Sequence, residues 1–368
     1  MVLVVYFKLI MWQRYKIIVV WCAIITKRHK KALFLQLLCA IITNVCTTFT
    51  FGVQMCYIAV LFGFHSSSFI IKKMLLTIIG LGLIGGSMAL DLRKRGFAHT
   101  LIGVDTNPEH CLKALQLNIV DLILPLQAAV AQADVVILAV PVQFTQQLLP
   151  LVLDYIPPHA VVTDVGSTKQ AMIQAVANHP KRGNYVASHP MAGTEYSGPE
   201  AAIYDLFDDK VSILCNIEQS KPAAVDCVKA LYNCLNMPIV YMNAAEHDMH
   251  VAYVSHISHI SSFVLATTVL EKEQQVDTIF DLASGGFAST VRLAKSSPQM
   301  WAPIFTQNAD HITQVLDTYI QHLQNWRTHI ANKDYAALEQ IMTNANQIKR
   351  ILDTPPAQRI KSCGDVAM

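Results

Sequence analysis

The chain has 368 residues, 53% hydrophobic and 15% charged, with a formal net charge of +2, and that length accommodates two ordinary domains. The charge is unevenly spread: residues 1–73 hold nine Lys and Arg and no Asp or Glu, so the remainder carries 19 basic against 26 acidic residues. An acidic body of this kind argues against nucleic-acid binding, which needs a positive footprint.

Within this leader, residues 32–64 are uncharged and rich in Leu, Ile, Val and Phe, and a basic stretch at 27–31 precedes them. That pattern is long enough to cross a bilayer. The competing reading is an extension upstream of the natural start, because Met74 opens the first strand at once. The extension is the favoured expectation. A membrane is a partner only if residues 1–73 are real, with an anchor through 32–64. The five body cysteines (Cys111, Cys215, Cys227, Cys234, Cys363) have no CxxC or zinc-like spacing. Free thiols in a reducing, cytoplasmic compartment are expected.

The body begins "MLLTIIGLGLIGGS", an apolar strand running into Gly80-x-Gly82-x-x-Gly85. Helix-period apolar residues follow, among them Leu83, Ile84 and Met88. Between a strand and a helix, this motif is a dinucleotide-binding turn. Gly80 allows the tight turn, Gly82 lets backbone approach a pyrophosphate, and Gly85 brings helix and strand together. The next strand, "HTLIGVD", ends in Asp105, placed to accept hydrogen bonds from ribose hydroxyls. Its charge would repel a 2′-phosphate, and "TNPEH" offers no Lys or Arg to neutralise one. NAD is therefore expected over NADP.

Further strands are expected at 133–142 ("ADVVILAVPV") and 160–169 ("AVVTDVGSTK"), and the strand–helix alternation continues through Tyr241. The expected fold is α/β, with an N-terminal Rossmann-type, doubly wound parallel sheet. Val140 and Pro141 end a strand on the ligand side, so they are cofactor-binding candidates. Ser167 ends another and is a candidate for touching cofactor or substrate.

"SHPMAGTEYSG" (188–198) follows the strand "NYVASHP" and places His189 among small, turn-forming residues. An imidazole there reads as packing, a metal ligand or an acid/base. Its place on the ligand side disfavours packing, and the lack of metal partners disfavours ligation.

After Tyr241 strand signals stop. Helical periodicity runs over 244–273, then around 301–327 and 334–351, with a loose tail from Pro355. The apolar faces exceed what one protomer covers, so a homodimer through an all-helical dimerisation domain is expected. His256 and His259 lie three apart on one face, with His247 and His250 before them at similar spacing. No carboxylate or cysteine accompanies them in a metal-binding pattern, so no metal is expected. Gly285-Gly286 interrupts the helices. Arg292 follows in an apolar run, where a buried guanidinium needs an anionic partner. The expected organisation is a leader at 1–73, a Rossmann domain at 74–241, a helical domain at 242–352 and a tail at 353–368.

Taken in order, "GLGLIGGS", "TDVGSTK", "HPMAGTE", "VSHISH" and "GGFASTVRLAKSSPQMW" resemble the prephenate/arogenate dehydrogenases of tyrosine biosynthesis, from Met74 to about Ile351. The resemblance implies NAD-dependent oxidative decarboxylation of a small molecule, prephenate or arogenate. It implies His189 as the base at the ring hydroxyl, with Ser167 placing it. It implies Arg292 as a carboxylate clamp and places His256, Glu195, Thr194 and Gly285 in the substrate pocket, with Trp301 reaching across a dimer interface. Ala288 and Ser289 stand where many members carry a charged pair, which leaves substrate preference open. Two alternatives remain. One is another β-hydroxyacid-type NAD(P) dehydrogenase; the other is a membrane-tethered NAD-binding module, which leaves His189 and Arg292 without a task.

Overall fold

The computed structural model describes residues 74–276 and 278–354. Both readings of residues 1–73, and the tail expected from Pro355, lie outside them. Eight described strands form one sheet: β1 (Leu75–Ile79), β2 (Thr100–Val104), β3 (Leu122–Ile123), β4 (Val135–Leu138), β5 (Val161–Asp164), β6 (Tyr185–Pro190), β7 (Ser212–Cys215) and β8 (Ile239–Met242). Their order is β3-β2-β1-β4-β5-β6-β7-β8. The first six are parallel, and the order reverses between β1 and β4, where doubly wound sheets bind ligands.

The doubly wound sheet expected for this half is present, and one strand departs from the parallel arrangement. β7 runs antiparallel to β6, with His189 opposite Ile213, and β8 is again parallel to β7. Residues 191–211 join β6 to β7 without an α-helix, so no crossover carries the chain back to the starting edge.

The strands are short apolar runs because both faces are covered. Successive residues of β1 and β4 point to opposite sides. Leu76, Ile78, Val135 and Ile137 enter one core with Met88 and Leu92 of α1 (Leu83–Lys94). Ile79, Val136 and Leu138 enter the other with Leu149 and Val152 of α4 (Val142–Tyr155). The remaining helices of this half are α2 (Pro108–Gln116), α3 (Leu126–Val130), α5 (Gln170–Ala175) and α6 (Pro222–Cys234).

The second half holds α7 (Ala244–Val251), α8 (Ile257–Val276), α9 (Gly285–Thr290), α10 (Pro298–Gln307), α11 (Ala309–Ala331), α12 (Tyr335–Ala345) and α13 (Ile348–Leu352). The helix expected over 244–273 is divided by a π-helical turn at Ala252–His256, a local widening often found at functional sites. The helix expected over 301–327 is likewise two, broken at Asn308. Gly285 and Gly286 open α9 behind Ser284 rather than only separating helices. No helix among the described residues is long and apolar enough to cross a membrane.

Candidate active site

The glycine turn sits at the sheet's reversal point. Gly80 has φ +97°, and a Cβ there would lie 2.4 Å from the Ala139 carbonyl oxygen, so β1 and β4 meet too closely for any side chain. A Cβ on Gly85 would lie 2.1 Å from the Gly80 oxygen, whereas one on Gly82 would meet nothing within 4 Å. Open space therefore faces the start of α1, whose N-cap is Gly82 with no side-chain cap. Uncapped N–H groups at a helix start favour an anion. Leu83 is buried and Ile84 half-buried behind this turn. Val140 and Pro141, both half-buried, lead from β4 into α4. The Asp105 carboxylate accepts from Leu81 N and Asn107 N, both at 2.9 Å, which ties the acidic residue to the glycine turn. These features fit a dinucleotide with free ribose hydroxyls.

His189 lies near the C-terminal end of β6, two strands from β4, and is 9% exposed. Its Nδ1 is 2.9 Å from Nε2 of His247 on α7, and His247 Nδ1 is 2.7 Å from Asp248 Oδ1. Asp248 also accepts the backbone N–H groups of Lys169 (2.8 Å) and Gln170 (2.9 Å) at the start of α5. Burial, then His247, Lys169 and His256, push the His189 pKa well below its ordinary value. Burial also lowers His247, although Asp248 opposes it. Burial alone would raise Asp248, but the hydrogen bond from His247 and the α5 amides outweigh it and leave the carboxyl lowered. The site thus holds two neutral imidazoles against a carboxylate at neutral pH. Ser167, expected to place His189, is half-buried and bonds none of these groups. The partner of the His189 ring is His247.

Beneath β6 lies a buried polar cluster. Lys169 Nζ pairs with the Asp164 carboxylate and donates to the Ser188 carbonyl at 2.7 Å. Tyr185 OH donates to Asp164 Oδ1 at 2.7 Å, and Ser188 Oγ lies 2.6 Å from Tyr232 OH. Lys169 and Asp164 are both 0% exposed, so each charge depends on the other and on these bonds. The cluster fixes the backbone that carries His189.

His256 is fully buried at the end of the π-turn, where burial pushes its pKa down to about 4. Its ring lies edge-on to Trp301 at 6.0 Å, and His259 stacks on Trp301 at 3.5 Å. Trp301, expected to reach across a dimer interface, is packed within its own chain at 7% exposure. His256 Nε2 and Trp301 Nε1 are buried without a partner.

Arg292 is another correction. The apolar run predicts a buried guanidinium, yet the side chain is 53% exposed and pairs with Glu195 Oε2 at 3.2 Å. Its neighbours Val291 and Leu293 are only half-buried, because this segment lies on the surface of α8, tied there through Ser262 to Thr290 O and Ala294 N. The pair joins the loop after β6 to the helical half. A hydrogen bond from its own backbone N–H, then Arg292, holds the Glu195 carboxyl below its usual pKa. Thr194 accepts from Tyr196 N at 3.3 Å in the same loop, and Gly285 is exposed at the start of α9.

Sequence reasoning missed Asp248, Asn308, Asp164 and Lys169, and gave His247 no role. Asn308 Nδ2 lies 2.7 Å from the Asp248 carbonyl and 3.2 Å from His256 Nδ1, so the break between α10 and α11 places an amide between two site residues. One signal was available: Asn243 caps α7 through Glu246 N, and that phase turns Ala244, His247, Asp248 and Val251 inward. Among the described residues, no group of three or more His, Cys, Asp or Glu is arranged to hold a metal.

Comparison with known proteins adds to this geometry. Residues 88–241 match the model of the prephenate dehydrogenase nucleotide-binding domain, and residues 243–344 that of its dimerization domain. A prephenate dehydrogenase of Bacillus subtilis is 35% identical over 258 residues, 69% of this chain and 70% of that protein. A cyclohexadienyl dehydrogenase of Zymomonas mobilis is 31% identical over 70% of this chain and 89% of its own length. The crystal structure of prephenate dehydrogenase from A. aeolicus, in complex with hydroxyphenyl propionate and NAD+, superposes with a TM-score of 0.70 at 29% identity. It covers 76% of this chain and 98% of that one.

Proposed function

The chain belongs to the prephenate dehydrogenase family, and on that premise we propose that His189 is the base of an NAD-dependent oxidative decarboxylation. The protein is an NAD-dependent oxidoreductase that converts prephenate to 4-hydroxyphenylpyruvate in tyrosine biosynthesis. Arogenate is the less favoured substrate. The observation that carries the role of His189 is its position: a buried neutral imidazole at the ligand edge of the sheet, held at one nitrogen by His247.

When bound, NAD supplies the hydride acceptor for C4 of the substrate ring. Gly80, Gly82, Gly85, Leu83, Ile84, Val140 and Pro141 form its cradle, and Asp105 takes the ribose hydroxyls. His189 accepts the C4 hydroxyl proton as the carbonyl develops. The bond from C1 to its carboxylate then breaks, CO2 leaves, and that electron pair makes the ring aromatic. His189 returns its proton to the phenolate oxygen, so the reaction consumes no net proton. Arg292, beside Glu195, holds a substrate carboxylate. Ser167, Thr194, His256, Gly285 and Trp301 line the pocket and orient C4.

Residues 74–241 serve as the cofactor half, and residues 242–352 as the helical half through which two copies pair. Apolar side chains left exposed on the latter support a homodimer: Val264 (57%), Leu270 (52%), Leu323 (50%) and Ile330 (58%). Free thiols at Cys111, Cys215, Cys227 and Cys234 support a cytoplasmic location. The test is direct. The full chain is mixed with NAD and prephenate, then with NAD and arogenate, and NADH is followed. NADH and 4-hydroxyphenylpyruvate from prephenate support the reading; no turnover of prephenate contradicts it.

A further inference from the structure

We propose that His247, backed by Asp248, is a positioning residue that fixes the tautomer of His189 and so selects Nε2 of His189 as the base nitrogen. The inference deepens the proposed function and rests on it for the identity of the reaction; the tautomer itself follows from the hydrogen bonds between His189, His247 and Asp248.

The direction is set from one end. The ionised Asp248 carboxylate only accepts hydrogen bonds, as it does from Lys169 N and Gln170 N. His247 Nδ1, 2.7 Å from Asp248 Oδ1, must therefore carry a proton. A neutral imidazole has one N–H, so His247 Nε2 presents a lone pair. His189 Nδ1, 2.9 Å from that lone pair, must donate to it. The single remaining lone pair of His189 is then on Nε2. The opposite tautomer would set two lone pairs against each other at 2.9 Å inside the protein. As His189 takes up the substrate proton, the new charge lies one imidazole away from the Asp248 carboxylate, which stabilises it without leaving a charge unpaired.

The same hub sets a second imidazole the other way. Asn308 Nδ2 only donates, and it faces His256 Nδ1 at 3.2 Å. His256 Nδ1 therefore accepts, and its proton is on Nε2, the atom left without a partner. One buried cluster thus prepares an acceptor on β6 and a donor at the π-turn, which suits a ring hydroxyl becoming a carbonyl. The groups facing His189 are His247 from α7, His256 from the π-turn and Lys169 from the segment before α5.

The experiment compares His247→Leu with His247→Gln in the full chain, using NAD and prephenate. A leucine cannot accept the His189 N–H, whereas a glutamine carbonyl can. The expected result is a kcat loss of about 10²–10³-fold for His247→Leu, with KM and the NAD Kd within about threefold of the parent. His247→Gln should recover kcat to within about tenfold of the parent. Unchanged kcat in His247→Leu, or equal loss in both variants, overturns the proposal, since equal loss marks a packing role. Where a variant fails to fold, the parent decides. Imidazole ¹⁵N spectra, with His189 assigned by its absence in His189→Asn, should report the Nδ1–H tautomer; the Nε2–H tautomer overturns the proposal. A parent without prephenate turnover sinks the functional reading, while the spectra still test the tautomer.

Discussion

The two halves of the chain handle apolar surface differently. In the sheet half, β1 and β4 are buried on both faces, and Leu76, Ile78, Val136, Ile137 and Leu138 are 0% exposed. In the helical half, only Ala252, Ile312 and Val315 form a third buried cluster, while Leu282 is 86% and Ile330 58% exposed. The first half closes its own core; the second leaves apolar side chains exposed, the surface on which the proposed dimer would close. The candidate base is placed by both: β6 carries His189, and α7 from the helical half supplies His247. The sheet fixes the backbone of the candidate base, and the helical half fixes its ring.

The largest expected effect is on the sheet half itself. Gly80→Ala must take φ +97° and place a Cβ 2.4 Å from backbone, so it should lose at least about 3 kcal/mol in denaturant unfolding. Gly82→Ala meets nothing and should leave stability within about 0.5 kcal/mol, yet raise the NAD Kd tenfold or more, which calorimetry measures. Equal stability for the two variants would break the distinction between a packed turn and an open cradle.

Acid should weaken the seam next. Burial lowers the pKa of His189, His247 and His256 below their unfolded values near 6.5. Below pH 6.5 the unfolded chain binds protons that the folded site refuses. This stability is therefore complete above pH 6.5 and is lost as pH falls towards the folded pKa values. His256, at about 4, should alone remove about 2 kcal/mol between neutral pH and pH 5. Urea midpoints across that range check this, and a constant midpoint would contradict neutral buried histidines.

Dimerisation comes third. Leu323→Glu with Ile330→Glu places charge on the exposed apolar face and should shift sedimentation from dimer to monomer without unfolding the sheet half. Arg292→Gln is the smallest effect. Its ion pair is half exposed, so stability should change by less than about 1 kcal/mol. The KM for prephenate should rise about tenfold with kcat nearly unchanged, and steady-state kinetics decide.

What the sequence made legible divides along the same line. Short apolar runs and Gly80-x-Gly82-x-x-Gly85 are local signals, so a doubly wound sheet and the glycine turn between its first strand and helix were legible in them. The antiparallel β7 did not, because nothing local marks the missing crossover in 191–211. His189 stood out by its turn-forming neighbours. Its partner did not, because His247 is 58 residues away and only the Asn243 cap sets the helix phase that buries it. Arg292 misled because the segment lies on the surface of α8, where its apolar neighbours Val291 and Leu293 are only half-buried and leave the guanidinium exposed.

The most direct test of the account is His189→Asn in the full chain, with prephenate turnover and NAD affinity measured side by side. The account predicts kcat down by about 10²–10⁴-fold with the NAD Kd unchanged, because the cradle lies on other strands. Parent-like turnover, or a matching loss of NAD binding, would contradict it.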